Sequence, residues 1–267
     1  MALFHILLVA IVQGITEFLP ISSSGHLILL PNLLQISDQG QIIDVAVHVG
    51  TLFAVILYFW SDLRGVILGL PRLMTGRVDT PGARLALLLI VSAVPVMVAG
   101  LLLKVTGLND ALRSITVIGW ATLIFGALLY WADQRGETVR AGEGWTLRDA
   151  VVLGLWQVIA LIPGTSRSGI TITGARFMGF ERADAARLSM LMSVPTIIAS
   201  GVLLGAEVAI QADTGLMRDG AIAAVFAFVA ALLALNLMMR LLRSVSFTPY
   251  VIYRMVLGVA LLAIAYS

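Results

Sequence analysis

QGITEFLPISSSGH at residues 13–26 and QVIALIPGTSRSG at residues 157–169 are two polar passages in an otherwise apolar chain. At an offset of 144 residues, the passages share a glutamine, two serines and a glycine. The matching pairs are Gln13 with Gln157, Ser22 with Ser166, Ser24 with Ser168, and Gly25 with Gly169. Irregular backbone survives in a bilayer only where protein or a water-filled cavity satisfies its polar groups, and paired broken helices mark ligand sites in membrane proteins. The passages therefore predict one ligand site.

The composition is that of an integral membrane protein. Of the 267 residues, 60% are hydrophobic and only 12% are charged, whereas a soluble domain has about 25% charged residues. We expect a single polytopic membrane domain over residues 1–267. The net charge of +2 comes from loop arginines, which favours contact with membrane lipids over nucleic acid. The absence of cysteine excludes disulfides, thiolate metal sites and cysteine nucleophiles.

Six apolar stretches are long enough to cross a membrane as helices, which takes about 20 residues each. They run from Ile42 to Trp60, Leu85 to Leu103, Ile115 to Ala132, Leu188 to Ala206, Ala221 to Leu242 and Pro249 to Tyr266. Two further apolar segments, residues 2–34 and 147–180, are cut by the polar passages, and we expect each to form a re-entrant helical hairpin. The predicted fold is therefore all-α, with six transmembrane helices plus two re-entrant hairpins.

The distribution of basic residues predicts the orientation in the membrane. Eleven arginines lie in one set of loops, whereas the alternate loops hold three basic residues. The first set comprises residues 61–84, 133–148, 181–187 and 240–246. Cytoplasmic loops carry the excess of lysine and arginine, so we assign this set to the cytoplasm. The second hairpin then enters from the cytoplasm and the first from the opposite face. This predicts an inverted-topology repeat, with halves at about residues 1–132 and 133–267.

Gln13 and Glu17 lie four residues apart, on one face of a helix that ends at the first break. An ionisable residue in a membrane segment costs at least about 2.5 kcal/mol and is by default functional, although a structural pairing with a buried arginine is an alternative. After the break we expect a new helix to start at His26. Its free N–H groups favour an anion, unless the residues before it only cap the helix. Those residues are Ser22, Ser23, Ser24 and Gly25.

Arg167 lies in the second break, before another predicted helix start at Ile170. A guanidinium forks onto phosphate in bidentate fashion, and glycines let the backbone approach a ligand closely. The residues predicted to join Arg167 at a phosphate are Gly164, Thr165, Ser166, Ser168, Gly169 and Thr171. The alternative is that Arg167 pairs with Glu17 across the two hairpins, and both arrangements are compatible in a protein without ligand.

The histidines are less specific signals. His26 is the only histidine beside the polar passages, and we favour general acid/base work over a structural role. Asp44 and His48 lie four apart in the first full span. We interpret them as polar contacts between helices.

The two passages resemble the signatures of the bacterial undecaprenyl-pyrophosphate phosphatases, also called bacitracin-resistance proteins. The resemblance rests on Gln13-x-x-x-Glu17, on Pro20-Ile-Ser22-Ser23-Ser24-Gly25-His26, and on Pro163-Gly164-Thr165-Ser166-Arg167-Ser168-Gly169-Ile-Thr171. It implies hydrolysis of C55 polyprenyl pyrophosphate, a lipid of cell-wall synthesis, to the monophosphate carrier. It also implies a multi-pass protein of the bacterial plasma (inner) membrane with a site open to the outer, periplasmic face. Some members have Glu where this chain has Gln13, which leaves Glu17 as the sole acid of the first motif.

Residue chemistry and resemblance together predict phosphoanhydride hydrolysis at a membrane-embedded site. We expect Ser23 to attack the terminal phosphorus, with His26 or Glu17 taking its proton. The residues expected to hold the developing charge are Arg167, Ser166, Ser168 and Thr171. A divalent cation, Mg²⁺ or Ca²⁺, is expected to bridge Glu17 and the pyrophosphate. The chain leaves open whether the protein forms a homodimer.

Two other classes of protein compete with this interpretation. Inverted repeats with broken helices at the midplane are also transporter architecture, so a transporter or lipid flippase with a midplane anion site needs no serine nucleophile. An intramembrane serine protease would need a Ser-His or Ser-Lys pair and an oxyanion hole. The clustered phosphate-type donors argue against a protease.

Overall fold

The computed structural model describes residues 3–34, 40–107, 112, 114–136, 140–208 and 214–267. Within these ranges the chain is helical and has no named β-strand. The helices are α1 (Leu3–Thr16), α2 (Ser23–Leu34), α3 (Gly40–Tyr58), α4 (Trp60–Met74), α5 (Pro81–Thr106), α6 (Ile115–Arg135), α7 (Leu147–Val158), α8 (Arg167–Phe177), α9 (Arg182–Val208), α10 (Thr214–Leu241) and α11 (Thr248–Tyr266). Short 3₁₀ turns lie at Gly142–Gly144 and Ile159–Leu161.

Six of the described helices are long and apolar enough to cross a membrane, namely α3, α5, α6, α9, α10 and α11. Their apolar segments are 19 to 28 residues long, with mean hydropathy between 1.5 and 2.7. Each overlaps one of the six predicted spans. The prediction of an all-α integral membrane protein with six spans is therefore confirmed.

The two broken segments form the helix pairs α1 with α2 and α7 with α8. Both second helices start three residues earlier than the sequence predicts, at Ser23 rather than His26 and at Arg167 rather than Ile170. The reason is a cap: the serine before each helix accepts a hydrogen bond from the backbone N–H of a glycine three residues later. Ser23 and Arg167 consequently occupy the first helical positions.

Helix α4 lies in a segment that we expected to be a cytoplasmic loop. Asp62 stands in its first turn and Arg72 in its last turn, and both charges stabilise the helix dipole. Gly69 lets the helix pack closely on the start of α5, because a Cβ at Gly69 would lie 2.5 Å from the carbonyl carbon of Gly82. The opposite face is open, and the side chain of Leu68 is 67% exposed. An amphipathic helix of this kind suits a membrane surface.

The helix contacts of the first broken segment resemble those of the second. Helix α1 packs on α10, and α7 packs on α5. A Cβ at Gly14 of α1 would lie 2.6 Å from the carbonyl oxygen of Ala227 in α10, and a Cβ at Gly154 of α7 would lie 2.6 Å from that of Ser92 in α5. Small residues at helix interfaces allow such close backbone contact in membranes. Each broken segment is thereby held against one long helix.

The ends of four helices meet around Asp133, near the end of α6. Its carboxylate accepts hydrogen bonds from Arg182 Nε at 2.7 Å and from the backbone N–H of Phe247 at 3.1 Å, at the starts of α9 and α11. Arg176, near the end of α8, lies 3.4 Å from the same carboxylate. We refer to this part of the molecule as the Asp133 end.

A backbone pairing joins the two ends of the second broken segment. The N–H of Arg140 donates to the carbonyl of Gly179 at 3.0 Å, and the N–H of Glu181 donates to the carbonyl of Arg140 at 3.1 Å. Arg140 precedes α7, whereas the other two residues follow α8. Arg176 also donates to the carbonyl of Phe180 at 2.5 Å. The chain therefore enters and leaves this segment at the Asp133 end.

Candidate functional site

The two breaks share an unusual backbone conformation at one serine each. Ser22 has a φ of 73° and Ser166 a φ of 70°, and among the described residues other than glycine only these two have positive φ. The Ser22 hydroxyl accepts a hydrogen bond from the N–H of Gly25 at 3.4 Å, and that of Ser166 accepts one from Gly169 at 3.1 Å. Positive φ is strained for serine and clusters at functional sites. The breaks are thus two copies of one backbone motif.

Glu17 is the centre of the hydrogen bonds between the breaks. Its Oε2 accepts hydrogen bonds from Ser23 Oγ at 2.7 Å and from Gln13 Nε2 at 2.8 Å. Its Oε1 accepts one from Arg167 Nη2 at 2.5 Å, so the alternative pairing of these two residues across the breaks is present. Only 8% of Glu17 is exposed. A carboxylate, a serine hydroxyl and a guanidinium therefore meet in a buried place.

A cavity of about 300 Å³ opens beside this group, and we call it the polar cavity. The predicted site residues that line it are Glu17, Ser22, Ser23, Ser24, Ser166 and Arg167. The sequence analysis did not place three further polar residues there, which are His48, Thr196 and Ser200. Hydroxyl groups and one guanidinium are suitable donors to the oxygens of an anion. The size of the cavity suits the phosphate part of a ligand and not a whole prenyl lipid.

Arg167 is held so that part of its guanidinium faces the cavity. One nitrogen binds Glu17, and Nη1 donates to the backbone carbonyl of Ser193 at 3.3 Å. The side chain of Arg167 is 16% exposed. Because Arg167 begins α8, the free N–H groups of the first turn lie beside its own charge. The two features together provide hydrogen-bond donors for an anion, although Glu17 balances the charge of Arg167.

Arg254 of α11 connects the two breaks by hydrogen bonds, and the sequence analysis did not identify it. Its guanidinium donates to the carbonyl of Pro20 in the first break at 3.3 Å and to that of Gly164 in the second break at 3.1 Å. Nε donates to the carbonyl of Thr122 in α6 at 3.1 Å. The residue is fully buried. Irregular backbone leaves carbonyls without intrahelical donors, and Arg254 supplies those donors to both breaks at once.

The other predicted site residues do not line the polar cavity. Gly164 and Gly169 provide space, because a Cβ at Gly164 would collide with the backbone of Ile118 and one at Gly169 would lie 2.8 Å from Arg254 Nη1. Thr171 bonds with Ser189 Oγ at 2.5 Å, behind α8. The remaining members of this group are Gln13, Gly25, His26, Thr165 and Ser168. Their positions support the breaks and do not show contact with a ligand.

His26 is engaged on both ring nitrogens. Nδ1 lies 2.7 Å from the carbonyl oxygen of Ser22, and Nε2 lies 2.6 Å from the hydroxyl of Tyr253 in α11. The two rings are also stacked, with an interplanar angle of 8°. No pattern in the sequence indicates the partner Tyr253, because it lies 227 residues away. His26 thus fastens the start of α2 to α11.

His48 lies at the polar cavity, contrary to our interpretation of it as a contact between helices. Its Nε2 is 3.8 Å from Glu17 Oε2. Its Nδ1 lies 2.7 Å from the carbonyl oxygen of Asp44, one turn earlier in α3. The ring of His48 is therefore held by its own helix on one side and lies beside Glu17 on the other.

The oxygen atoms near Glu17 determine whether a divalent cation fits. Gln13 Oε1 is buried and has no hydrogen-bond partner in the described structure. An amide oxygen and a carboxylate are both ligands that Mg²⁺ and Ca²⁺ accept. The described residues hold no cluster of three or more His, Asp or Glu side chains able to bind a metal. The residues therefore fit a cation that takes two ligands from the protein and the others from a ligand or water.

The chain matches known proteins over its whole length. Residues 6–260 match the model of the family described as bacitracin resistance protein BacA. A protein named undecaprenyl-diphosphatase is 71% identical in Ruegeria pomeroyi, and another is 69% identical in Jannaschia sp., each over 267 residues and 100% of both chains. The protein of the same name in Maricaulis maris is 46% identical over 266 residues, which are 98% of each chain. The similarity to these relatives therefore extends over nearly the full length of both chains.

Proposed function

The chain belongs to the bacitracin resistance protein BacA family, and we propose that it hydrolyses undecaprenyl diphosphate to undecaprenyl phosphate and inorganic phosphate. The names of the relatives supply the substrate. The observation that carries the proposal is the contact of Ser23 and Arg167 with one buried carboxylate, Glu17. In a cell this reaction recycles the lipid carrier of cell-wall synthesis and confers resistance to bacitracin.

We assign the attack on the terminal phosphorus to Ser23. Its Oγ already donates to Glu17 Oε2 at 2.7 Å, so this carboxylate takes the proton as the Oγ–P bond forms. The bond from phosphorus to the bridging oxygen breaks, and undecaprenyl phosphate leaves. Water then cleaves the phosphoserine and releases inorganic phosphate. In the alternative mechanism Ser23 and Glu17 orient a water molecule that attacks directly.

The geometry favours Glu17 over His26 as the proton acceptor. A general base needs to lie about 2.6 to 3.2 Å from the atom that it deprotonates. Glu17 meets this condition with Ser23, whereas the ring nitrogens of His26 face Ser22 and Tyr253. His26 accordingly orients the start of α2 and does not take part in the proton transfer.

Arg167 stabilises the charge that develops on the phosphate oxygens. Its Nη2 stays on Glu17, and its Nη1 exchanges the carbonyl of Ser193 for a phosphate oxygen. Ser166 lines the same wall of the polar cavity. Donors that are already in place stabilise a transition state without the cost of reorganisation.

Glu17 and Gln13 would hold the divalent cation, Mg²⁺ or Ca²⁺. The unpartnered amide oxygen of Gln13 and the carboxylate of Glu17 belong to neighbouring turns of the same segment. When bound, the cation would neutralise charge on the diphosphate. Gln13 would thus offer a neutral oxygen ligand, and Glu17 would supply the one carboxylate of the pair.

Both broken segments are re-entrant hairpins in our proposal, and they enter the membrane from opposite faces. Supporting this, the pairing of Arg140 with residues 179 and 181 brings both ends of the second segment to the Asp133 end. Arginine-rich loops lie there, which supports a cytoplasmic location for that end in a bacterial inner membrane. The matched packing of α1 and α7 supports inverted halves at about residues 1–132 and 133–267. The polar cavity is then open to the periplasmic side.

Single cysteines in this cysteine-free chain would test the orientation. Thr106 and Met74 are both exposed. Thr106 is the last residue of α5, whereas Met74 ends α4, shortly before α5 begins at the other end of the span. We expect Thr106→Cys to react with an impermeant thiol reagent added outside intact cells and Met74→Cys to react only after lysis. The reverse pattern would overturn the orientation. The homodimer stays a prediction, which light scattering of the purified protein would test.

Phosphate release separates the enzyme from the transporter or lipid flippase. We expect the purified protein to release one inorganic phosphate from each undecaprenyl diphosphate. Ser244→Ala, an exposed matched control, should retain this activity. Transfer of intact undecaprenyl diphosphate across reconstituted vesicles without phosphate release would instead establish a flippase.

A further inference from the structure

A second cavity opens off the polar cavity, between α3 and α9. It has a volume of about 470 Å³. The two cavities share three lining residues, His48, Ile197 and Ser200. Because His48 also lies 3.8 Å from Glu17, the second cavity begins one side chain away from the proposed chemistry. We call it the α3–α9 groove.

The α3–α9 groove is lined mostly by apolar side chains, and its polar lining residues are Asp44, His48 and Ser200. One wall is α3, with Val45, Val49 and Leu52 on one face at helical spacing, and the other is α9, with Ile198 and Val202. The side chain of Val202 is 69% exposed, so the groove is open to the surface of the helix bundle. Both walls are membrane-spanning helices. That surface faces lipid.

Two other apolar cavities are not connected to the site. One, of about 590 Å³, lies between α1 and α10, and the other, of about 240 Å³, lies among α3, α4, α5 and α9. Neither shares a lining residue with the polar cavity. Continuity with the polar cavity therefore distinguishes the α3–α9 groove from the other two.

An amphiphilic substrate needs such continuity. The proposed substrate has a diphosphate at one end of a long prenyl chain, and the polar cavity of about 300 Å³ has no space for that chain. Each methylene group kept out of water stabilises the bound lipid. A path that joins polar donors to lipid lets the diphosphate enter while the chain stays in an apolar environment.

We propose that the α3–α9 groove binds the isoprene units next to the diphosphate and is the lateral route by which the prenyl chain reaches lipid. This inference rests on the proposed function, because it takes a prenyl diphosphate as the substrate whose two parts need both compartments. His48 and Ser200 mark the boundary between the diphosphate and the first isoprene unit. The groove, and not the cavity between α1 and α10, sets the preference for a long chain.

Gly201 offers a way to block the groove. It lines the groove, and no heavy atom lies within 4 Å of a Cβ built at this position. A large side chain here fills open space without displacing backbone, and most residues favour a helix more than glycine does. The substitution therefore changes the groove and leaves the contacts around Glu17 intact.

The experiment compares Gly201→Trp with the unmodified protein on undecaprenyl diphosphate and on a five-carbon prenyl diphosphate. We expect kcat/KM for the long substrate to fall about 10-fold or more, a steric penalty of the size of mismatched apolar pockets. We expect kcat/KM for the short substrate to fall clearly less than for the long one, because its single isoprene unit occupies only the start of the groove. Val229→Trp, at a 47% exposed position in the cavity between α1 and α10, is the matched control and should change neither.

The outcomes separate this proposal from the proposed function. Equal losses of kcat/KM on both substrates, or no loss on either, would contradict the binding of the prenyl chain in the groove. Hydrolysis by the unmodified protein would still support the proposed function. Absence of hydrolysis by the unmodified protein would overturn the proposed function itself, and the groove with it. Gly201→Leu provides a smaller block if the tryptophan variant does not fold. A photoreactive prenyl diphosphate should label peptides from α3 and α9, and labelling of α10 alone would contradict the groove.

Discussion

The two breaks have one backbone and different side chains. Ser22 and Ser166 have nearly the same φ and cap their helices in the same way. The next residue, at the first position of the helix, is Ser23 in the first break and Arg167 in the second. Six residues before the first of these lies Glu17, whereas the matching residue of the second break is Leu161.

The difference shows how a repeated scaffold builds an asymmetric site. In our proposal the first break supplies the nucleophile Ser23 and the carboxylate of Glu17. The second break supplies the guanidinium of Arg167. Neither break holds a complete set of groups, and Glu17 lies where the sets meet. A site of this kind requires that the two breaks keep a fixed distance.

The largest expected effect concerns the first break. Ser23→Ala removes the proposed nucleophile, and we expect kcat to fall by about 10⁴-fold or more. Ser22→Ala and Ser24→Ala should cost much less, because they mainly weaken a cap worth about 1 kcal/mol. The measurement is phosphate release by the purified variants, with Ser244→Ala as the control. Similar small losses at all three positions would favour a water molecule activated by Glu17.

The matching residue of the second break should matter nearly as much. We expect Arg167→Ala to lower kcat by about 10³-fold, the scale of losing a group that stabilises transition-state charge. Arg167→Lys should rescue only weakly, since an ammonium lacks the fork of a guanidinium. Arg72→Ala, at an exposed ion pair with Asp79, is the control and should retain activity. An active Arg167→Ala variant would show that the second break carries no catalytic group.

The distance between the breaks depends on Arg254, which we regard as a positioning residue. We expect Arg254→Gln to lower kcat about 10- to 100-fold with little change in KM, since a displacement of about 1 Å at reacting groups has effects of this size. Arg254→Lys should recover part of the loss, because an ammonium can donate to both Pro20 and Gly164 but not also to Thr122. Steady-state kinetics of folded variants provide the measurement. A rise in KM with unchanged kcat would indicate substrate contact instead.

The smallest expected effect tests whether the positive φ costs the same free energy of folding at both breaks. At each strained serine we expect the glycine variant to be more stable than the alanine variant by about 1 kcal/mol, because alanine keeps the cost of positive φ. Thermal unfolding of Ser22→Gly, Ser22→Ala, Ser166→Gly and Ser166→Ala in detergent measures the difference. A higher stability of the glycine variant at only one break would show that the two breaks share a backbone geometry but not the energetic cost of positive φ.

Much of the fold could be predicted from local sequence. Apolar runs of membrane length identified all six spans, and the prolines identified both breaks. The start of α2 was wrong by three residues because the run of serines is compatible with either a loop or a first helical turn. Helix α4 was missed because arginines interrupt its apolar residues, although an amphipathic helix at a membrane surface needs only one apolar face.

The site was predictable to the extent that its residues lie in the two polar passages. The resemblance to a known family is confirmed. The contact of Glu17 with Arg167 was among the alternatives, because opposite charges in lipid have few other partners. Arg254, Tyr253 and His48 could not be assigned to the site, since each lies in an apolar helix outside the two polar passages. Only the packing of distant helices brings them to the breaks.

Arg254 also has a consequence for biosynthesis. It belongs to the last helix of the described chain, yet its guanidinium supplies donors to carbonyls at Pro20 and Gly164. Both breaks leave the ribosome long before residue 254 does. The carbonyls of Pro20 and Gly164 therefore lack the donors of Arg254 until α11 is inserted. A nascent chain stalled before that point contains Ser23 and Arg167 but not the hydrogen bonds of Arg254 that join the two breaks. Synthesis and insertion of α11 are thus needed before the two breaks of the proposed site are joined.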